Sequence, residues 1–206
     1  MEDTVIPWIK SFVCYLLSAL GTALTVKASV GVGSFVALNV SLGTLLDIKV
    51  GTLTAALNGA FLVCCLLLDK QRQWYRYGTM LLALLSFGQA TNLFLYIVMR
   101  DLVITSYLNK VLLFALGVFL IGFGFGRILH YGLMTFPIEY ACQLLAGHSS
   151  TRFRQYRYFI DIICVSSSLL ITLLFHQPLV VREGTLISLV LLSSIMSWAK
   201  DLKLRW

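Results

Sequence analysis

Six stretches of this chain are apolar over lengths that suit a bilayer better than a soluble core: residues 8–26, 51–68, 77–99, 110–125, 153–175 and 183–199. A hydrocarbon layer of about 30 Å takes roughly 20 helical residues. Inside it each backbone N–H and C=O must be satisfied within the segment or in a closed barrel, and spans of this length select helix. The chain is 59% hydrophobic and 12% charged, far from the roughly one-quarter charged composition of soluble domains. Trp8, Trp74, Tyr75, Tyr107, Tyr156, Trp198 and Trp206 stand at or near span ends, the headgroup level that amphipathic rings prefer. The expected fold class is an all-α membrane protein with six transmembrane helices, residues 1–206 forming a single transmembrane domain.

Two Gly-rich breaks interrupt the pattern, one in each half. The first reads K-A-S-V-G-V-G-S-F-V-A-L-N (27–39) and the second G-F-G-R-I-L-H-Y-G-L-M-T-F-P-I-E (124–139). Aligned about 101 residues apart, Gly21 falls on Gly122, Ser34 on Thr135 and Phe35 on Phe136. Each break follows one long span and precedes two more, so residues 8–99 and 110–199 read as repeat halves. With three spans per half, the second half enters the membrane from the opposite side, an inverted 3+3 repeat of the kind transporters build around a midplane site. The segments after the breaks, 34–46 and 135–145, are apolar but short, which fits re-entrant or interfacial helices. Ser34 and Thr135 stand where N-caps stand, with Pro137 in the first turn of the second segment. A helix start set inside the bilayer exposes free N–H groups and partial positive charge.

Basic residues orient the chain. In the six-span reading Lys10, the basic residues of 70–76, those of 127–157 and those of 200–205 share one face, eleven against five on the other. An eight-span alternative divides them ten to six. The positive-inside rule places both termini in the cytoplasm. The net charge of +7 is then accounted for by edges facing anionic lipid, and no soluble region is left to bind nucleic acid.

Polar groups within the spans are the candidate pathway. Asn58 and Asp161 lie seven and eight residues into the second and fifth spans, roughly 10–12 Å deep at 1.5 Å per residue. Asp161, in F-I-D-I-I-C-V, calls for a partner or a water path, because an intramembrane charge costs about 2.5–3.5 kcal/mol even on insertion scales. Arg127 pairing with Glu139 or Asp161 is the expected ion pair; Arg154 and Arg157, seven and four residues before Asp161, offer a local, purely structural helix-surface alternative. Ser34, Asn39, Asn58, Arg127, Thr135, Glu139 and Asp161 form the expected substrate pathway. Gln89 and Asn92 share a helix face, as interhelical amide glue or pathway lining. Gly122 and Gly126 give a small-xxx-small face for close helix approach.

Catalytic and metal signatures are absent. His130, His148 and His176 lack H-x-x-x-H spacing, the alternating glycines at 122–126 lack a strand context, and the five cysteines have no ligand spacing. No cofactor, no metal and no enzymatic activity are expected.

The motif G-V-G-S-F-V-A-L-N-V-S-L-G, the following I-K-V-G-T-L-T-A-A-L-N (48–58), the second break and the late R-E-G-T (182–185) together resemble the YitT/YczE-like group of bacterial integral membrane proteins over about residues 10–200. That group usually carries a proline soon after the first glycine pair, where this chain has Ser34-Phe35-Val36; the second half keeps Pro137. The resemblance implies a multi-pass protein of the bacterial inner membrane and names no substrate. The expected function is a small-solute transporter or channel-like protein with a polar cavity between inverted halves, its partners being the lipid bilayer and a small solute or ion. A non-transporting scaffold or accessory subunit is the alternative, and homodimerisation is left open.

Overall fold

The computed structural model describes residues 2–69, 74–132, 136–149 and 153–202, and these form eight α-helices and no strand. They are α1 (Glu2–Ala28), α2 (Ser34–Leu46), α3 (Val50–Leu68), α4 (Trp74–Leu93, continued by a π-helical turn Phe94–Val98), α5 (Tyr107–Tyr131), α6 (Pro137–His148), α7 (Phe153–Phe175) and α8 (Glu183–Asp201). Five are long and apolar enough to cross a bilayer: α1 from Trp8, α3, α4 with its π turn, α5, and α7 from Gln155. They mark a multi-pass membrane protein. The sixth expected span forms as α8 over 19 residues but falls short in apolarity, because Glu183, Lys200 and Asp201 end it and four serines dilute it.

Each half runs long, short, long, long. α2 and α6 begin 103 residues apart, as do α3 and α7, and α1 and α5 end 103 residues apart. The 101-residue alignment of the breaks therefore shifts by two, placing Gly21 against Gly124 and Asn58 against Asp161. The matched pairs Gly21 with Gly122 and Phe35 with Phe136 stand two residues out of the helix register, which follows the apolar spans.

Glycine sets the central crossing. α1 packs along α5, and a Cβ on Gly21 would stand 2.7 Å from the Gly117 carbonyl oxygen, while one on Gly124 would stand 2.7 Å from that of Cys14. Gly122 and Gly126 admit α8, where an added Cβ would stand 2.7 Å from Ile195 and Ala199 respectively, the close approach their spacing predicts. α3 meets α4 where Gly51 and Gly88 touch backbone to backbone. Around this core α3, α2, α7 and α6 close a ring, each short helix packed between α3 and α7.

Both short helices start in the interior. Ser34, Phe136 and Pro137 are buried, whereas Leu46 at the far end of α2 is exposed. Ser34 is the first helical residue rather than the cap: Gly33 takes the cap position with no side-chain bond, and Phe136 takes it for α6, with Pro137 next. Thr135 lies outside the described residues. The first break also docks on the start of α8. Gly184 N–H donates to the Val30 carbonyl at 3.2 Å, Val32 N–H donates to Thr185 Oγ1 at 3.3 Å, and Arg182 Nη1 donates to the Ser29 carbonyl at 2.9 Å. Gly31 has φ +148° and would place a Cβ 2.5 Å from the Thr185 nitrogen, so only glycine fits there.

Candidate functional site

The charged residues converge where α2, α6 and α7 meet. α7 carries Arg157 one turn in and Asp161 one turn further, about 12 Å from its start. Arg157 Nη1 donates to Asp161 Oδ1 at 2.8 Å, and the Ser34 hydroxyl donates to the same oxygen. Asp161 thus sits against the uncapped start of α2, where free N–H groups and the helix dipole favour an anion. From the first turn of α6, Glu139 brings Oε1 to 4.0 Å from Arg157 Nε. Two carboxylates therefore share one guanidinium, and Glu139 Oε2 is buried with no partner among the described residues. The side chains are only 26%, 11% and 12% exposed for Arg157, Asp161 and Glu139.

This corrects the expected pairing. Arg127 faces α8 rather than the carboxylates. Its Nη1 donates to the carbonyls of Leu202 (2.6 Å) and Ala199 (3.3 Å), and Nη2 donates to the Tyr131 hydroxyl at 3.2 Å. A buried cation closing the carbonyl end of a helix is a structural arrangement. The local alternative, Arg157, is the partner.

Asn39 and Asn58 meet at Thr54. Asn39 Nδ2 donates to Thr54 Oγ1 and Asn58 Nδ2 to the Thr54 carbonyl, both at 2.9 Å, and all three residues are buried. Gln89 and Asn92 part company: Gln89 is exposed, while Asn92 Oδ1 accepts from Gly51 N–H (2.9 Å) and its Nδ2 donates to Thr52 Oγ1 (3.0 Å). The Gly51–Gly88 contact rotates α4 so that Asn92 turns inward to α3 and Gln89 outward, which leaves Asn92 as helix glue.

The centre is closed. Phe136 packs on Tyr15, Phe125 and Phe87 with ring centroids 4.9, 4.6 and 5.4 Å away, and Phe35 and Phe61 border the same cluster. In place of the expected wet cavity, a void of about 10 Å³ lies beside Glu139, room for about one water.

A further cluster escaped the sequence reading. The hydroxyls of Tyr77 and Tyr140 both donate to Asp69 Oδ2, at 2.7 and 3.0 Å, and the Arg76 guanidinium lies 4.0 Å from the Tyr140 ring centroid. The cluster ties α6 to the α3–α4 end. The only sequence signal available was an aspartate closing an apolar span.

Comparison with known proteins follows the same lines. Residues 6–201 match a family of unknown function, DUF6198, and the chain belongs to that family; the likeness to the YitT/YczE-like group rests on the motifs alone. The chain is also similar to the uncharacterized protein YyaS of Bacillus subtilis, 25% identical over 179 residues that cover 85% of this chain and 83% of the relative. No solved structure matches.

Proposed function

We propose that this member of the DUF6198 family is a non-enzymatic protein of the bacterial inner membrane that binds and moves a small hydrogen-bond-donating or cationic solute between two inverted halves. In this reading α1, α3, α4, α5, α7 and α8 span the bilayer, α2 and α6 are re-entrant, and both termini are cytoplasmic. Part of the contact pattern supports the repeat, although the α3–α4 pairing has no equal between α7 and α8. Exchanging α1 with α5, α2 with α6, α3 with α7 and α4 with α8 maps the α2–α7 contact onto α6–α3, α2–α3 onto α6–α7, and α1–α4 onto α5–α8.

The observation that carries the reading is the shared guanidinium: two part-buried carboxylates, one cation and a Glu139 oxygen with no partner among the described residues. The surplus of acceptors favours a ligand that brings protons or positive charge. The aromatic packing above the site makes the described conformation a closed one, so passage requires the Phe136 cluster to open.

The test is a thermal-shift screen of the purified full chain against small amines, cationic metabolites and neutral donors, repeated on Glu139→Gln. A hit that stabilises the wild type and loses its effect in the variant supports the reading. A panel with no hit, in a protein whose centre stays inaccessible to thiol reagents from either side in cysteine-substituted variants, gives the site a scaffold role instead.

A further inference from the structure

The 103-residue register pairs two places of unlike chemistry. The fifth and ninth residues of α7 are Arg157 and Asp161; the fifth and ninth of α3 are Thr54 and Asn58. The sixteenth residues, Ser168 and Cys65, each donate to a first-turn carbonyl of the opposite half's short helix, Ala37 at 3.3 Å and Pro137 at 3.4 Å. The second half thus holds its own cation against a carboxylate. The first half presents only neutral oxygens at the matching positions.

Those oxygens are unsatisfied. Asn39 Oδ1 and Asn58 Oδ1 are buried with no partner among the described residues, in side chains of residues 0% and 3% exposed. Turning the Asn58 amide over does not relieve it, because the Thr54 carbonyl only accepts and must be met by Nδ2. The Thr54 hydroxyl donates to the Val50 carbonyl at 2.9 Å, and with its proton so placed Thr54 Oγ1 accepts from Asn39 Nδ2. Each amide is pinned by its nitrogen to Thr54, leaving its oxygen free. A buried acceptor left unmade costs about 1–3 kcal/mol, and two of them flank one threonine.

We infer that the free amide oxygens of Asn39 and Asn58, held in place by Thr54, form a binding site for a small monovalent cation, sodium or the ammonium group of a protonated amine. Oxygen donors without thiolate or imidazole select hard cations. The lack of a carboxylate on these three residues disfavours a divalent ion, which draws on carboxylates. The site goes beyond the proposed solute site and uses none of its charged residues, so it stands or falls on its own measurement.

The experiment is thermal unfolding of the purified full chain in detergent as sodium chloride, or methylammonium chloride, replaces choline chloride at constant ionic strength. Saturable stabilisation by at least about 2 °C is expected from one or both cations. Sodium alone identifies an inorganic ion and methylammonium alone a protonated amine, and either supports the site when Asn58→Leu abolishes the shift. Asn58→Leu should fold, since the Thr54 carbonyl keeps its helical backbone bond, and should lose the shift. Asn58→Asp should enlarge it. A wild type insensitive to both cations, or an Asn58→Leu protein that keeps the full shift, overturns the inference. Paired variants separate the two readings: a methylammonium shift lost in Asn58→Leu and kept in Glu139→Gln belongs to this site, and one kept in Asn58→Leu and lost in Glu139→Gln belongs to the solute site and overturns the inference for the amine.

Discussion

The assignment of Arg157 rather than Arg127 as the partner of Asp161 is open to a direct energetic test. The perturbation is a double-mutant cycle, Arg157→Gln and Asp161→Asn singly and together, with Arg127→Gln and Asp161→Asn as the parallel cycle. Two magnitudes bracket the result. An exposed i, i+4 ion pair contributes about 0.3–0.5 kcal/mol, and a hydrogen bond to a charged group about 1.5–3 kcal/mol. With the two side chains 26% and 11% exposed and 2.8 Å apart, the coupling should lie between these, about 1–2 kcal/mol. Asp161→Asn should lose more than the coupling alone, because Ser34 donates to the same carboxylate. The assay is reversible unfolding in mixed micelles, read by tryptophan fluorescence, with the non-additivity of the changes giving the coupling. Arg127 and Asp161 should be additive to within about 0.5 kcal/mol. Coupling below about 0.3 kcal/mol for Arg157, or a larger value for Arg127 than for Arg157, would refute the geometry on which the site rests.

Two further outcomes follow from the packing. Gly117→Val should destabilise by about 1–3 kcal/mol through overpacking, because even a Cβ there stands 2.7 Å from Thr25 and 2.8 Å from the Gly21 carbonyl oxygen; Gly59→Ala, with nothing within 4 Å, should be neutral or mildly stabilising in the same thermal assay. Tyr140→Phe should cost about 1 kcal/mol and leave Asp69 with Tyr77 as its hydroxyl donor from this pair, so Tyr77→Phe should cost more in the Tyr140→Phe background than alone, and equal costs would count against a shared carboxylate.

The helices were legible because length and apolarity suffice for them. The bounds of α2 (Ser34–Leu46) and α7 (Phe153–Phe175) coincide with the expected segments, since a Gly-rich break or a charge run marks their edges. Which way each helix faces was not legible. Gln89 and Asn92 differ by about 60° around α4, and the Gly51–Gly88 contact decides which one turns inward. Arg127 sits between Gly126 and Ile128 in a chain of small and apolar residues that reads equally well facing α8 or α6. Within one helix the pattern did better: Arg157 and Asp161, four residues apart, are neighbours by geometry alone. The Asp69–Tyr140 bond links residues 71 apart, and the docking of Val32 on Thr185 spans 153; single-chain periodicity carries nothing about either.

The interlocking of the halves sets how the molecule can be divided. The α1–α5 crossing, the α2–α7 pairing and the α3–α6 pairing all join one half to the other, and the first break is fastened to the last helix. Neither half owns a complete interior. A polypeptide cut between Met99 and Tyr107 yields two pieces that are each other's missing walls, so assembly during synthesis has to wait for the later piece before the earlier one finds its resting place.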